Sequence, residues 1–212
     1  MRSRVLRVVV LSVVLVAAAC GDDDGGDESS SATGDEATTT TSSTSGSGGG
    51  AVTIDDLETS CDDDDLTAIV TDLRGDAPET VEPSGTPPGP VEVNVNDATY
   101  TSAACIYGYA GNTFQDPNRV TLRIDQGDID TPAVRDAMFD SLSFDTEVPD
   151  LGDAARYFHQ VAVDAHSNVH VLIGDTVLTV RVDVPGDLEN EVFLTEGPMV
   201  DAATSFVGVV EA

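Results

Sequence analysis

Residues 51–212 predict an α+β domain, a mainly antiparallel sheet of about six strands with helices packed on it in the manner of an α/β/α sandwich. Three observations carry that expectation. Six short runs alternate apolar and polar side chains with the period of two that a strand requires. Three other segments space their apolar residues at 3-4-7 intervals, as one face of a helix does. Their order is helix, three strands, helix, three strands, helix, so strands follow strands across short connections.

The first helix is expected over Asp63 to Arg74, where Leu66, Ile69, Val70 and Leu73 share a face and Gly75 stands at the C-cap. A Pro/Gly loop from Ala77 to Pro90 separates it from three strands: Val91 to Val95, Ser102 to Tyr109 and Val120 to Ile124. Thr131-Pro132 reads as a cap followed by an N1 proline, opening a helix that buries Val134, Met138, Phe139 and Leu142. Strands follow at Arg156 to Asp164, Asn168 to Ile173 and Thr176 to Val184, the last two joined by the tight turn Gly174-Asp175. A last helix starts near Gly197-Pro198 and buries Val200, Ala203, Phe206, Val207 and Val210.

The front of the chain has a different chemistry. Arg2, Arg4 and Arg7 precede an apolar run, VVVLSVVLV from Val8 to Val16, and then Ala17, Ala18, Ala19 and Cys20. Twelve residues of helix reach about 18 Å, short of the ~30 Å hydrocarbon core, so residues 1–19 read as a cleaved signal peptide. The segment VAAAC resembles the lipobox of bacterial lipoproteins in the form found in high-GC Gram-positive bacteria, with Ala17 where Leu is usual. That resemblance implies that Cys20 receives a diacylglyceryl group and becomes the mature N-terminus, a two-chain anchor on the outer face of the cell membrane. Residues 21–50 are acidic and Ser/Thr/Gly-rich, without an aromatic or basic residue, so residues 20–50 are expected to form a lipidated, disordered stalk. Its Thr/Ser run is a possible site of O-glycosylation.

Three Cys in an exported chain then divide simply. Cys20 carries lipid, and Cys61 and Cys105 pair in a disulfide closing a loop of 45 residues. A reactive thiol at Cys61 is disfavoured by Asp62 to Asp65, which raise a thiol's pKa.

Charge excludes whole classes. The formal net charge is -30, and all nine basic residues are Arg. Nucleic-acid binding, driven by cationic neutralisation of phosphates, is excluded. Without Lys there is no Walker A lysine, Schiff base or S-x-x-K pair. Nor does the chain hold G-x-S-x-G, H-E-x-x-H, C-x-x-C or G-x-G-x-x-G.

The weak candidates are few. His166 and His170, four apart and expected near a hairpin mouth with Asp164 close by, form a conceivable Zn²⁺ or Cu²⁺ set. The polar-turn reading is preferred, with no metal or cofactor expected. Asp125-Gln126-Gly127-Asp128-Ile129-Asp130 invites a Ca²⁺ reading but lacks the EF-hand order and is taken as a strand-to-helix connection. Tyr107, Tyr109, Tyr157 and Phe158 suit either a pocket or the core, with the core preferred.

Taken together, the lipobox, the acidic stalk, Cys61 before the first helix and Cys105 in a strand resemble a family of actinobacterial lipoproteins of unknown function. Leu151-Gly152-Asp153-Ala154-Ala155 and Gly174-Asp175-Thr176-Val177-Leu178-Thr179-Val180 look like that family's strand-entry and hairpin segments, and the resemblance covers about Val52 to Val210. It implies a fold similar to Mog1/PsbP-like and mycobacterial sensor-type lipoprotein domains. No biochemical role comes with it. The expected function is therefore a monomeric, membrane-tethered, non-enzymatic domain that binds a small ligand or an envelope protein. The alternatives are an envelope hydrolase, metal-dependent or acid–base with His159, His166 or His170, and a structural acidic surface protein.

Overall fold

The computed structural model describes residues 51–140, 142, 146–161 and 164–211. The leader, Cys20 and the acidic stalk lie outside the described residues. From Ala51 onward the described chain belongs to one compact unit.

A four-residue helix, α1 (Ile54–Leu57), precedes the first expected one. The expected helix is α2 (Asp64–Arg74), and its ends follow from its cap residues. Asp63 accepts the Asp65 backbone N–H at 2.9 Å, which satisfies one of the four orphan donors of the first turn. Gly75 ends it at φ 80°, where a side chain would be strained, and its N–H reaches the Thr71 carbonyl. The four apolar residues of the 3-4-7 stripe are all buried.

Among the described residues eight strands form the sheet, two more than expected: β1 (Thr80–Pro83), β2 (Val91–Val95), β3 (Ala98–Gly108), β4 (Arg119–Gln126), β5 (Thr146–Val148), β6 (Ala154–Gln160), β7 (Asp164–Ile173) and β8 (Thr176–Pro185). The order is β1-β3-β4-β8-β7-β6-β5, and every pairing is antiparallel. Strands β1 and β2 share one edge of β3, pairing with its second and first halves respectively. The two additional strands are β1, inside the segment read as a Pro/Gly loop, and β5, three residues long. Strand β1 ends at Pro83 on a sheet edge, where its missing N–H costs no ladder bond.

Alternation divides the side chains between the two faces. One face carries Ala103, Cys105, Tyr107, Val120, Leu122, Ile124, Val169, Val171, Leu178, Val180 and Val182. Helices α1 and α2 and the C-terminal helix, introduced below, cover it with Leu57, Leu66, Val70, Met199, Ala203 and Phe206. The disulfide Cys61–Cys105 ties the entry of α2 to the centre of β3, with Cα atoms 5.4 Å apart. Helix α3 (Pro132–Arg135), continued by a π-turn over Asp136–Asp140, covers one end of the other face. There Val134, Met138 and Phe139 pack on Ala98, Leu172 and Val177. The expected helix is thus shorter than its apolar spacing suggested, and Leu142 lies beyond it. Nor does Thr131 cap it with its side chain; its hydroxyl donates to Asp128 at 3.0 Å. The C-terminal helix, α4 (Glu196–Glu211), fully buries Met199, Ala203 and Phe206, with Val200, Val207 and Val210 half-buried beside them.

Candidate functional site

Beyond the reach of α3, the second sheet face is polar. Strand register arranges its side chains in rows that run across the strands, with neighbours in a row about 4.8 Å apart. One row runs Arg123, Thr179, His170, Arg156 across β4, β8, β7 and β6. The next runs Thr121, Arg181, Asn168, Phe158, and a third Arg119, Asp183, His166, Gln160. Five of the six arginines in residues 51–212 lie on this face or on α3, which lies against it.

A cleft of about 240 Å³ opens among these rows, lined by Arg123, Arg181, His170, Asn168, Thr179 and Phe158 with Gln160, His166 and Leu142. Among the described residues no carboxylate lines it. Asp183 accepts from Arg181 at 2.9 Å and pairs with Arg119 at 3.4 Å, while Asp125 pairs with Arg123 at 2.8 Å. Three guanidinium groups thus share two carboxylates, leaving local positive charge in a chain that is otherwise strongly acidic. Burial pushes the Asp125 carboxyl up, against the pull of Arg123 and Ser102.

Two uncharged groups complete the floor. His170 is 6% exposed and its Nδ1 lies 3.0 Å from the Thr179 hydroxyl. Burial, and then Arg123, Arg181 and Arg156, push its pKa down to about 3, so the ring is neutral. Asn168 is also 6% exposed, and its buried side-chain carbonyl oxygen has no hydrogen-bond partner among the described residues. Such an orphan acceptor is uncommon in folded proteins.

The residues singled out from sequence fall into separate places. His166 and His170 share β7 and point to the same face, but a rise of four strand residues separates them by about 13 Å, too far for one ion. His159 faces the other side and contacts the Ser167 hydroxyl at 2.8 Å. The side chain of Asp164 lies outside the described residues. Among the described residues no group of three or more His, Cys, Asp or Glu is placed to hold a metal ion. In the acidic segment 125–130, Asp125 faces the sheet and Asp128 accepts from Thr131 and from the Asp130 N–H. That is the strand-to-helix connection expected.

Tyr107, Tyr109 and Tyr157 are core residues whose hydroxyls donate to the carbonyls of Cys61, Val70 and Leu194 at 2.9, 3.1 and 2.6 Å. Phe158 alone of the four aromatic candidates lines the cleft. Sequence reasoning missed Arg123, Arg181, Asn168, Thr179 and Gln160. Their only signal was polar residues at alternate positions of strands that are otherwise apolar.

A second cavity, about 540 Å³, lies between α2 and α4 over Ala68, Ile69, Leu73, Ala202 and Val209. It is larger, but its charged lining residues, Asp65, Asp72 and Asp201, are all acids and exposed, and it contains none of the buried unpartnered atoms. The polar face holds the richer chemistry. No family model, curated protein or solved structure matches this chain.

Proposed function

We propose that this chain is a lipid-tethered, extracytoplasmic binding protein whose ligand enters the cleft on the open sheet face. The observation that carries the reading is the convergence of Arg123, Arg181 and the orphan acceptor of Asn168 on one small cavity. A few polar groups meeting in a partly apolar concavity are the usual build of a ligand site. The Cys61–Cys105 bridge supports export, since such bonds persist in oxidising compartments. The leader and Cys20 supply the anchor in this reading, and residues 21–50 the spacer.

Binding without turnover is favoured by the state of His170 in the cleft and of the two carboxylates beside it. His170 is held neutral over the whole physiological range, and Asp125 and Asp183 are committed to guanidinium groups. A general base with a pKa near the working pH is the opposite arrangement.

Two measurements test the reading. Mass spectrometry of the native protein is expected to find Cys20 at the N-terminus with a diacylglyceryl group; an intact leader or an unmodified thiol there refutes the tether. Thermal shift of the full-length protein against anionic, neutral and cationic small-molecule sets is expected to show saturable stabilisation that Asn168→Leu removes. Stabilisation indifferent to that substitution places binding elsewhere, and none at all leaves a structural acidic surface protein.

A further inference from the structure

We propose that the cleft takes a small organic oxyanion with a flat apolar body and a hydrogen-bond donor: its oxygens meet Arg123 and Arg181, its body lies against Phe158, and its donor meets Asn168. This rests on the reading of the cleft as a ligand site and names the class of ligand.

Charge comes first. Among the described residues of the lining Arg123 and Arg181 carry the permanent charge, and none is a carboxylate that competes with an incoming anion. Asp183 already serves Arg119 as well as Arg181, so the shared carboxylate neutralises neither fully. Guanidinium groups are suited to planar oxyanions, which they bind through two parallel N–H donors. A small ligand of one or two charges is also what such a chain can admit. The formal charge of -30 repels a polyanion over long range, whereas a small anion meets the local field of the cleft.

Shape and polarity narrow the class. At about 240 Å³ the cleft lies below the roughly 300–1,000 Å³ of sites for drug-sized molecules. Phe158, with Leu142 beside the cleft, offers apolar surface to the ligand body. Thr179, Gln160 and neutral His170 give hydrogen bonds without adding charge. Asn168 makes the finest distinction: its buried carbonyl oxygen has no partner among the described residues, and a donor on the ligand would satisfy it. A hydroxy acid fits that description better than the same acid without the hydroxyl.

Titration calorimetry on the full-length protein uses the 2-, 3- and 4-hydroxybenzoates, benzoate, 3-hydroxybenzyl alcohol and inorganic phosphate at millimolar concentration. At least one hydroxybenzoate is expected to bind saturably, roughly tenfold more tightly than benzoate or the neutral alcohol, and inorganic phosphate more weakly still. Arg181→Gln is expected to weaken that hydroxybenzoate by about tenfold while the fold survives, because Arg119 still partners Asp183. Phe158→Ala, which touches no ion pair, is the second variant and should weaken the hydroxybenzoate but not phosphate.

Equal binding of the alcohol overturns the anion while leaving the cleft as a site. Equal binding of phosphate overturns the apolar body, and equal binding of benzoate overturns the donor. Saturable binding unaffected by either substitution overturns the placement. If none of the probes binds, the proposed ligand class falls; the cleft itself then stands or falls with the broader thermal-shift sets.

Discussion

Removing the carboxylate of Glu58 is expected to be among the most damaging single changes in the domain, although the acids around it, Asp55, Asp56, Asp62 and Asp63, are exposed. Glu58 follows α1 directly and is only 3% exposed. Its Oε1 accepts from the Ser84 hydroxyl and from the Ala104 N–H at 3.2 Å. Its Oε2 accepts from the Gly85 and Gly89 N–H groups at 3.1 and 2.8 Å. One carboxylate therefore ties α1 both to β3 and to the loop between β1 and β2. The fit is close: a Cβ on Gly85 would stand 2.8 Å from Oε2.

Glu58→Ala leaves three backbone donors and a hydroxyl without their acceptor. At about 1–3 kcal/mol for each buried unsatisfied group, with partial rescue by water at the half-exposed members, the loss is about 3–5 kcal/mol. In a domain of this size that corresponds to roughly 10–15 °C in Tm. Glu58→Gln keeps one acceptor but turns an NH₂ towards backbone donors, so about 2 kcal/mol is expected. The pH dependence carries the sharper test. Burial raises the pKa of Glu58, but the Gly89, Ser84, Ala104 and Gly85 hydrogen bonds together outweigh it, so the folded value lies below the ordinary one. A carboxyl lowered by folding contributes stability that is complete above its unfolded pKa and is lost as pH falls through its folded pKa. Urea denaturation from pH 7 down to pH 3 should therefore show the wild-type advantage over Glu58→Gln shrinking below about pH 4.5. A change under about 0.5 kcal/mol for Glu58→Ala, or a Gln deficit independent of pH, refutes the assignment.

Three further expectations follow from other parts of the structure. His170 is neutral in the fold and protonates in the unfolded chain, so stability should fall as pH drops from about 6.5 towards 3 with a contribution approaching 1.4 kcal/mol per pH unit. His170→Gln should flatten that limb, and its NMR ring signals in the wild type should stay those of the neutral form at pH 5; an imidazolium there contradicts the burial argument. The Cys61–Cys105 bridge closes a 45-residue loop, so the double Ala variant should lose about 4 kcal/mol in urea denaturation, and a loss below about 1 kcal/mol contradicts the chain-entropy account. Arg74 lies between the rings of Tyr109 and Phe193 at 4.3 and 4.2 Å and donates to Asn118 at 3.1 Å. Arg74→Met, which keeps the stem, should therefore cost about 1–3 kcal/mol, and a neutral effect would show that the stacking contributes nothing.

The parts of the fold that were legible are those where one period persists. Helix α2 has four apolar residues on one face between an Asp cap and a Gly stop, and it forms with those ends. Strands β3, β4, β7 and β8 run for eight residues or more and lie within a few residues of their expected places. Where the pattern is short the outcome is decided from outside the segment. Strand β1 alternates over four residues inside Pro/Gly sequence and exists because β3 offers an edge to pair with. Three residues of β5 cannot display a period at all. The segment after Pro132 has apolar residues at helical spacing, yet its turn widens at Asp136 as it settles on Leu172 and Val177.

The candidate site was illegible for a related reason. Alternation assigns Arg119, Arg123, Arg181 and Asn168 to the polar phase of their strands, but it says nothing of which residue stands opposite which. Register does that, and register brings Arg123 beside Thr179 and Arg181 beside Asn168. His166 and His170 attracted notice because they are close in sequence. In a strand that closeness means the same face and different rows, and the functional neighbours of His170 come from β4, β6 and β8 instead.

The arginines also bear on whether this face is merely a covered surface. A sheet face that only needed shielding from water would be served by Thr and Val, as the neighbouring Thr121 and Thr179 positions illustrate, and charged pairs there gain little over apolar side chains of similar size. A purely structural set of ion pairs would also match each guanidinium to its own carboxylate. Here Arg119 and Arg181 share Asp183, Arg123 holds a carboxyl that burial is pushing towards its neutral form, and Asn168 keeps an acceptor buried and unused. The buried Asp125 and the unpartnered Asn168 oxygen work against stability, and all three features lie in or beside the same cleft. Local departures of that kind are expected where function competes with packing, and the ligand proposed above would complete them.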